Sequence, residues 1–385
     1  MSFDALLLLS FGGPEGPEDV LPFLHNVTRG RGIPDGRLAA VAEHYVHFGG
    51  ISPINEQNRA LLAALRTELA GAGLDLPVYW GNRNWKPYVA DAVRQMRYEG
   101  IQRALVFATS ATASYSSCRQ YREDLAQARR VAGDGAPELV KLRHFFDHPG
   151  FVAANVDGVR AALESLPADR RDGARLVFTA HSIPVSMNDS SGPHADGLYA
   201  AQQRETARLV AEAIRGEGAE FDLVWQSRSG PPQVPWLEPD VNDHLRALAA
   251  SGVTAVVVAP TGFVSDHMEV RWDLDHEARE TAAELGLAYA RAATANTHPA
   301  FVAGIRELVE ERVRGVPPRS LGRLGLCGID CPAGCCPVPP RRQSALPLIE
   351  VDAVTHRIDL QIARIELVAL AKALNLTEAS RFVTL

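Results

Sequence analysis

Apolar residues in this chain come in two rhythms. Short uninterrupted runs lie at 5–10, 77–80, 104–108, 176–180, 223–226 and 255–259. Longer segments at 58–71, 89–98, 152–163 and 202–215 repeat their apolar residues every three or four positions. The first rhythm fits strands buried on both faces, and the second fits amphipathic helices. Their alternation predicts an α/β protein with parallel sheets flanked by helices. In such folds, ligands bind beyond the carboxyl ends of the strands. Ser10, His181, Gln226 and the stretch from Pro260 all stand there. No repeat with a period of roughly 20–50 residues is visible, which argues against a solenoid or propeller.

A length of 385 residues allows one large or two medium domains, and 46% apolar residues is ordinary for a globular chain. The apolar runs are too short to span a bilayer, and no apolar core follows a basic N-terminal flank. The expected location is therefore the cytoplasm, with no transmembrane segment. A net charge of -7 argues against nucleic acid as the main partner. Only Lys86, Lys141 and Lys372 are lysines. Genomic base composition accounts for that bias, yet it also supplies many guanidinium forks suited to carboxylate-bearing ligands.

Four of the five cysteines, Cys327, Cys331, Cys335 and Cys336, crowd into LCGIDCPAGCCP, and Cys118 is remote. In a cytoplasmic protein, clustered thiols favour metal or iron–sulfur ligation over disulfides. Prolines at 317–318 and within 337–342 bracket the cluster and mark a loop held by its ligands. Beyond it, 357–375 reads as an amphipathic helix of the kind that docks onto an earlier domain.

The densest chemistry is in PTGFVSDHMEVRWDLDHE, residues 260–277. On a helix, Glu269, Asp273 and Glu277 fall at i, i+4 and i+8, so three repelling carboxylates share a face. With His267 and His276 beside them, they suit a divalent cation or protons. From spacing alone, a solvated acidic face is an equal reading. In TAHSIP, His181 sits just past a strand, where a neutral imidazole can accept a proton or bind a metal. A structural histidine is the plainer alternative. The SFGGPEGPED turn lacks the spacing of a dinucleotide binder, so no nucleotide is expected. Its glycines suit a sharp turn or close approach to a flat ligand. GNRNWKPY, HYVHFGGISPINEQNR and WQSRSGPPQVPWLEPD add aromatics and cations for a large, flat, anionic ligand.

SFGGPEGPEDV, HFGGISPINEQ, TAHSIP, WQSRSGPPQVPWLEPD and PTGFVSDHMEV together resemble the ferrochelatases, which insert ferrous iron into a porphyrin. These motifs span most of the chain, and the last three stand in the family's order and spacing. The cysteine-rich tail, with Cys118 in SYSSCRQYRED, is similar to the actinobacterial branch. Members of that branch are typically coproporphyrin III ferrochelatases and can carry a 2Fe–2S cluster.

The resemblance implies two Rossmann-like domains, 1–135 and 136–345, with the porphyrin in a cleft between them. The second would include the cysteine-rich loop 327–340, and 346–385 would form a helix packed back on the first domain. His181 and Glu269 become the facing catalytic pair, and Asp273 and Glu277 extend outward along a distorted helix. All four are candidate iron ligands. Arg29, Arg31, Ser52, Arg119 and Tyr121, with Gly12 and Trp236, become candidate substrate contacts. Four of the five cysteines would hold the cluster: Cys118 plus three from the tail, with one of Cys335 and Cys336 spare. A structural Zn²⁺ is the alternative. Relatives in the firmicute branch place a Tyr where this chain has Phe11, so the resemblance does not carry an axial Tyr ligand over to this position.

The expected activity is thus insertion of Fe²⁺ into coproporphyrin III to give coproheme. The expected state is a monomer with transient contacts to neighbouring haem-pathway enzymes. The competing readings are a protoporphyrin IX ferrochelatase or another tetrapyrrole chelatase. From a different class come a non-catalytic porphyrin carrier and an iron–sulfur sensor. Which of His181 and Glu269 takes protons and which handles iron is open at this level.

Overall fold

All six residues of β1 (Ala5–Ser10) are buried, as the central strand of a covered parallel sheet requires. The computed structural model describes residues 2–30, 32–230, 233–329, 331–332 and 334–338. The expected C-terminal helix of 346–385 and the candidate contact Arg31 lie outside the described residues.

Strand β1 lies between β2 (Val78–Asn82) and β3 (Arg103–Ala108), and β4 (Glu138–Lys141) extends the sheet beyond β3. A second sheet contains β5 (Arg175–His181), β6 (Asp222–Gln226), β7 (Ala255–Ala259) and β8 (Ala288–Arg291). The orders are β2-β1-β3-β4 and β6-β5-β7-β8, with every pair parallel. The expected α/β class with parallel sheets is therefore what the chain adopts, and one strand order serves both halves. In each sheet the chain crosses from one side of the first strand to the other, which opens a crevice beyond the carboxyl ends of β1 and β3, or of β5 and β7. The edge strands β4 and β8 are not among the expected runs. Each is four residues long, and ELVK and AYAR carry charged ends that hide them among loop residues.

The first half carries α1 (Pro17–Val27), α2 (Asp35–His47), α3 (Ile54–Gly71), α4 (Val89–Tyr98) and α5 (Gln120–Ala132). The second carries α6 (Pro149–Ser165), α7 (Val185–Asp189), α8 (Leu198–Arg215), α9 (Val241–Ala250), α10 (Met268–Val270), α11 (Ala278–Glu284) and α12 (Pro299–Val313). In α4, the buried Val89, Ala92, Val93 and Met96 recur at helical spacing, so one stripe faces the sheet.

Side chains alternate between the faces of each strand, so each sheet builds two cores. Leu6 and Leu8 join Leu61 and Leu65 of α3 on one face. Ala5, Leu7 and Leu9 join Val93 and Met96 of α4 on the other. The second sheet repeats this, with Leu176, Phe178 and Val257 on one side and Val177, Val256 and Val258 on the other. The two halves are stitched together. Phe301, Ile305 and Leu308 of α12 enter the core of the first sheet beside Leu61 and Phe107. With β4 hydrogen-bonded to β3, the first sheet and its cover draw on chain well past residue 135.

Candidate active site

His181 is the last residue of β5, and its backbone is tied on both sides. The Tyr199 hydroxyl donates to the His181 carbonyl at 2.8 Å, and the Ser182 amide donates to the Gln226 carbonyl of β6 at 2.8 Å. The imidazole Nδ1–H donates to the Ser182 carbonyl at 2.5 Å. That bond leaves Nε2 to face Glu269, whose Oε2 is 3.6 Å away. Both side chains keep open surface, 31% for His181 and 50% for Glu269. Burial pulls the His181 pKa down, but the Glu269 carboxylate, the Ser182 carbonyl and Asp273 together outweigh it, so the net shift is upward from 6.5. Burial pushes Glu269 up, but His181 and then His267 outweigh that and hold it at about 2.

Glu269 sits on the single turn α10. The chain does not continue as the α-helix assumed from the spacing: Arg271–Glu277 is a π-helix, and α11 follows it. A π-helix closes its hydrogen bonds one residue later than an α-helix, and such widened turns are frequent at functional sites. The three carboxylates nevertheless stay within electrostatic reach of one another. Asp273 is pushed up to about 7, first by burial and also by repulsion from Glu269 and Glu277. Its Oδ2 accepts hydrogen bonds from the Ser227 hydroxyl and from Gln226 Nε2, the latter at 3.1 Å. Glu277 lies farther out, where its Oε1 accepts from Trp272 Nε1 at 2.8 Å. His267 Nδ1 stands 3.8 Å from Glu269 Oε2, and burial lowers its pKa.

The loops after β1, β2 and β3 supply the other wall. Gly12 has φ +82°, and a Cβ there would come within 2.8 Å of the Asn82 Cβ, so the turn requires glycine. Phe11 is 36% exposed. Arg83 lies 5.8 Å from the Phe11 ring and 4.4 Å from the Tyr121 ring. Its Nε is 2.6 Å from Asp124 Oδ2, with only 6% of the Arg83 side chain exposed. Asp124 is not singled out by the sequence, because nothing local marks a partner 41 residues away. Ser52 and Tyr121 are buried, Arg29 is exposed and donates to Asn26 Oδ1 at 2.5 Å, and Arg119 pairs with Glu123 at 3.1 Å. Trp236 Nε1 is buried without a partner among the described residues.

Contacts between helices and loops of the two halves bring these walls together. The Asp266 amide donates to Gln57 Oε1 at 2.8 Å, and Met268 packs among Val20, Phe23 and Trp85. Trp272 stacks on His44 at 3.9 Å, and Arg271 lies 4.7 Å from the Phe48 ring. The Ala113 amide donates to Gln202 Oε1 at 2.6 Å.

All five cysteines are free. Cys118, on a π-helical turn at Tyr115–Arg119, lines a cavity of about 260 Å³ with Cys331, Cys335, Cys336 and Arg122. Cys327 packs in an apolar cluster with Cys331, Cys335 and Cys336 but is not in the cavity wall, whereas both members of the Cys335–Cys336 pair are. The Gly192 amide donates to Cys336 Sγ at 3.3 Å, and burial holds Cys331 and Cys335 up at about 11. Among the described residues, no group of three or more His, Cys, Asp or Glu side chains forms a ready metal-ligating set.

The ferrochelatase family profile matches residues 3–313. The coproporphyrin III ferrochelatase of Nocardia farcinica is 58% identical over 352 residues, covering 90% of this chain and 99% of that protein. That of Streptomyces griseus is 58% identical over 358 residues, covering 89% and 96%. That of Mycolicibacterium smegmatis is 61% identical over 319 residues, covering 83% and 92%. With its paired sheets, its His181–Glu269 pair and this degree of likeness, the chain belongs to the ferrochelatase family.

Proposed function

We propose that this protein inserts Fe²⁺ into coproporphyrin III to give coproheme. The observation that carries this reading is the facing pair of His181 Nε2 and Glu269 Oε2, 3.6 Å apart, at the carboxyl ends of the second sheet. The names of the relatives supply the porphyrin. The balance of the reaction is simple: two pyrrole N–H protons leave and one Fe²⁺ enters, with no electron transferred.

The electrostatics favour one division of labour. His181 Nδ1–H is committed to the Ser182 carbonyl, so in the neutral ring Nε2 carries the lone pair. Its raised pKa makes it a better proton acceptor. Glu269, held at about 2, stays a carboxylate throughout the working range and can attract the cation. Asp273 and Glu277 extend the row of carboxyl groups outward, with Asp273, pushed up to about 7, able to exchange a proton near neutral pH. A rigid cleft that bends one pyrrole would expose its nitrogen lone pair to the metal. Arg29 and Arg119 are proposed to meet propionates, with Ser52, Tyr121, Gly12 and Trp236 shaping the wall behind them.

The thiols fit a 2Fe–2S cluster in donor type, because four of them face one cavity. Cys118, Cys331, Cys335 and Cys336 would hold it, leaving Cys327 spare. Such a cluster would supply a covalent tie between the tail and the first half and a one-electron redox centre. Visible absorbance of anaerobically purified protein separates it from colourless Zn²⁺.

The deciding experiment is anaerobic incubation of the full chain with Fe²⁺ and coproporphyrin III, following the absorbance change on metal insertion. Insertion is expected. A porphyrin spectrum that stays unchanged over many enzyme equivalents overturns the reading, and faster turnover of protoporphyrin IX would move the substrate assignment.

A further inference from the structure

Ser227 has φ +61°, a left-handed conformation that disfavours residues carrying a Cβ. Glycine would occupy that position without penalty. What serine adds is a hydroxyl, and that hydroxyl donates to Asp273 Oδ2. Such outliers cluster where function requires the geometry.

A second donor converges on the same oxygen. Gln226, 1% exposed, donates through Nε2 to Asp273 Oδ2 at 3.1 Å. An amide can present either its oxygen or its nitrogen, so something must set its orientation. Thr179, fully buried in β5, donates from Oγ1 to Gln226 Oε1 at 2.8 Å. The Glu269 carbonyl faces the same Nε2 at 3.5 Å. Oxygen on one side and nitrogen on the other are thereby fixed. Among the described residues, no hydrogen bond reaches Asp273 Oδ1.

We propose that Thr179, Gln226 and Ser227 form a positioning relay that commits Asp273 Oδ2 to the protein and leaves Oδ1 to meet the incoming cation. The inference rests on the proposed iron insertion and names the groups that aim one carboxylate on the cation's path. The three are assigned a positioning role and not a place on the reacting atoms. They act through Asp273.

The test compares wild type with Ser227→Gly, Thr179→Val and Thr179→Ser, titrating Fe²⁺ anaerobically at saturating coproporphyrin III. Ser227→Gly and Thr179→Val are each expected to raise the KM for Fe²⁺ about fivefold or more, the scale of one lost hydrogen bond. The KM for coproporphyrin III is expected to stay within about twofold, and Thr179→Ser to restore the iron KM. Ser227→Gly is expected to melt at or above the wild-type temperature, because it relieves the left-handed strain. A purely structural serine would instead lower melting and worsen every kinetic constant together, which overturns the proposal. Mn²⁺ binding to the porphyrin-free protein, read by electron paramagnetic resonance, gives a second readout that favours oxygen over thiol ligands. It is expected to weaken in the same two variants. A wild type that inserts no iron sinks the functional reading alone, whereas unchanged Mn²⁺ affinity and iron KM sink the relay.

Discussion

The two halves of this molecule share a strand order and differ in what they place at its ends. Beyond β1, β2 and β3 stand glycines, Phe11, and a partly buried Arg83–Asp124 pair whose charges are spent on each other. Beyond β5, β6 and β7 stand His181, Asp273 and Glu269, shifted up, up and down from their ordinary pKa values. One wall is shaped, and the other is titratable. Equal topology thus leaves the division of labour to the loops, as expected where function is grafted onto a fold.

That contrast can be broken most severely at His181. Replacing His181 with Ala is expected to lower iron insertion by roughly 10²–10⁴-fold, the range for losing a general base. Coproporphyrin binding, read by fluorescence quenching, is expected to persist. Near-normal turnover would remove the second half's claim to the chemistry. Glu269→Gln sharpens the same point through pH. Proton acceptance needs neutral His181, so activity rises with pH through its raised pKa. Without the neighbouring carboxylate that pKa falls, and the activity limb is expected to move to lower pH in a pH–rate profile.

In the first half, the expected damage is to stability. Arg83→Leu leaves Asp124 partly buried and unpaired. The expected loss is about 2–3 kcal/mol by denaturant titration, reduced from the fully buried case because Asp124 keeps 29% of its side chain exposed. The smallest effect is expected from Glu277→Gln on the outer edge of the acidic row. It is expected to raise the iron requirement about two- to threefold, less than an inner carboxylate would, since an exposed charge is screened. A change in porphyrin affinity instead would take Glu277 off the cation's path.

Much of this arrangement is legible in the chain because its signals are local. The six runs expected as strands are all strands, and 89–98 is α4 to the residue. His181 is recognisable from its place after such a run. What escapes depends on contacts distant in sequence. β4 and β8 are strands only because β3 and β7 offer them edges. Asp124 matters only through Arg83, and Thr179 only through Gln226. The π-helix escapes for another reason: spacing by four looks the same in either helix until the hydrogen bonds are seen.

The return of α12 across the molecule has a consequence for how the protein comes apart. Phe301, Ile305 and Leu308 complete the core of the first sheet, although they come from the far end of the second half. A fragment ending at residue 135 therefore lacks part of its own interior and is expected to remain a poor folder. Unfolding of the two halves is expected to be coupled through this shared core, so a denaturation curve read by different probes is expected to show one transition rather than two. Neither wall of the crevice is then expected to loosen without the other.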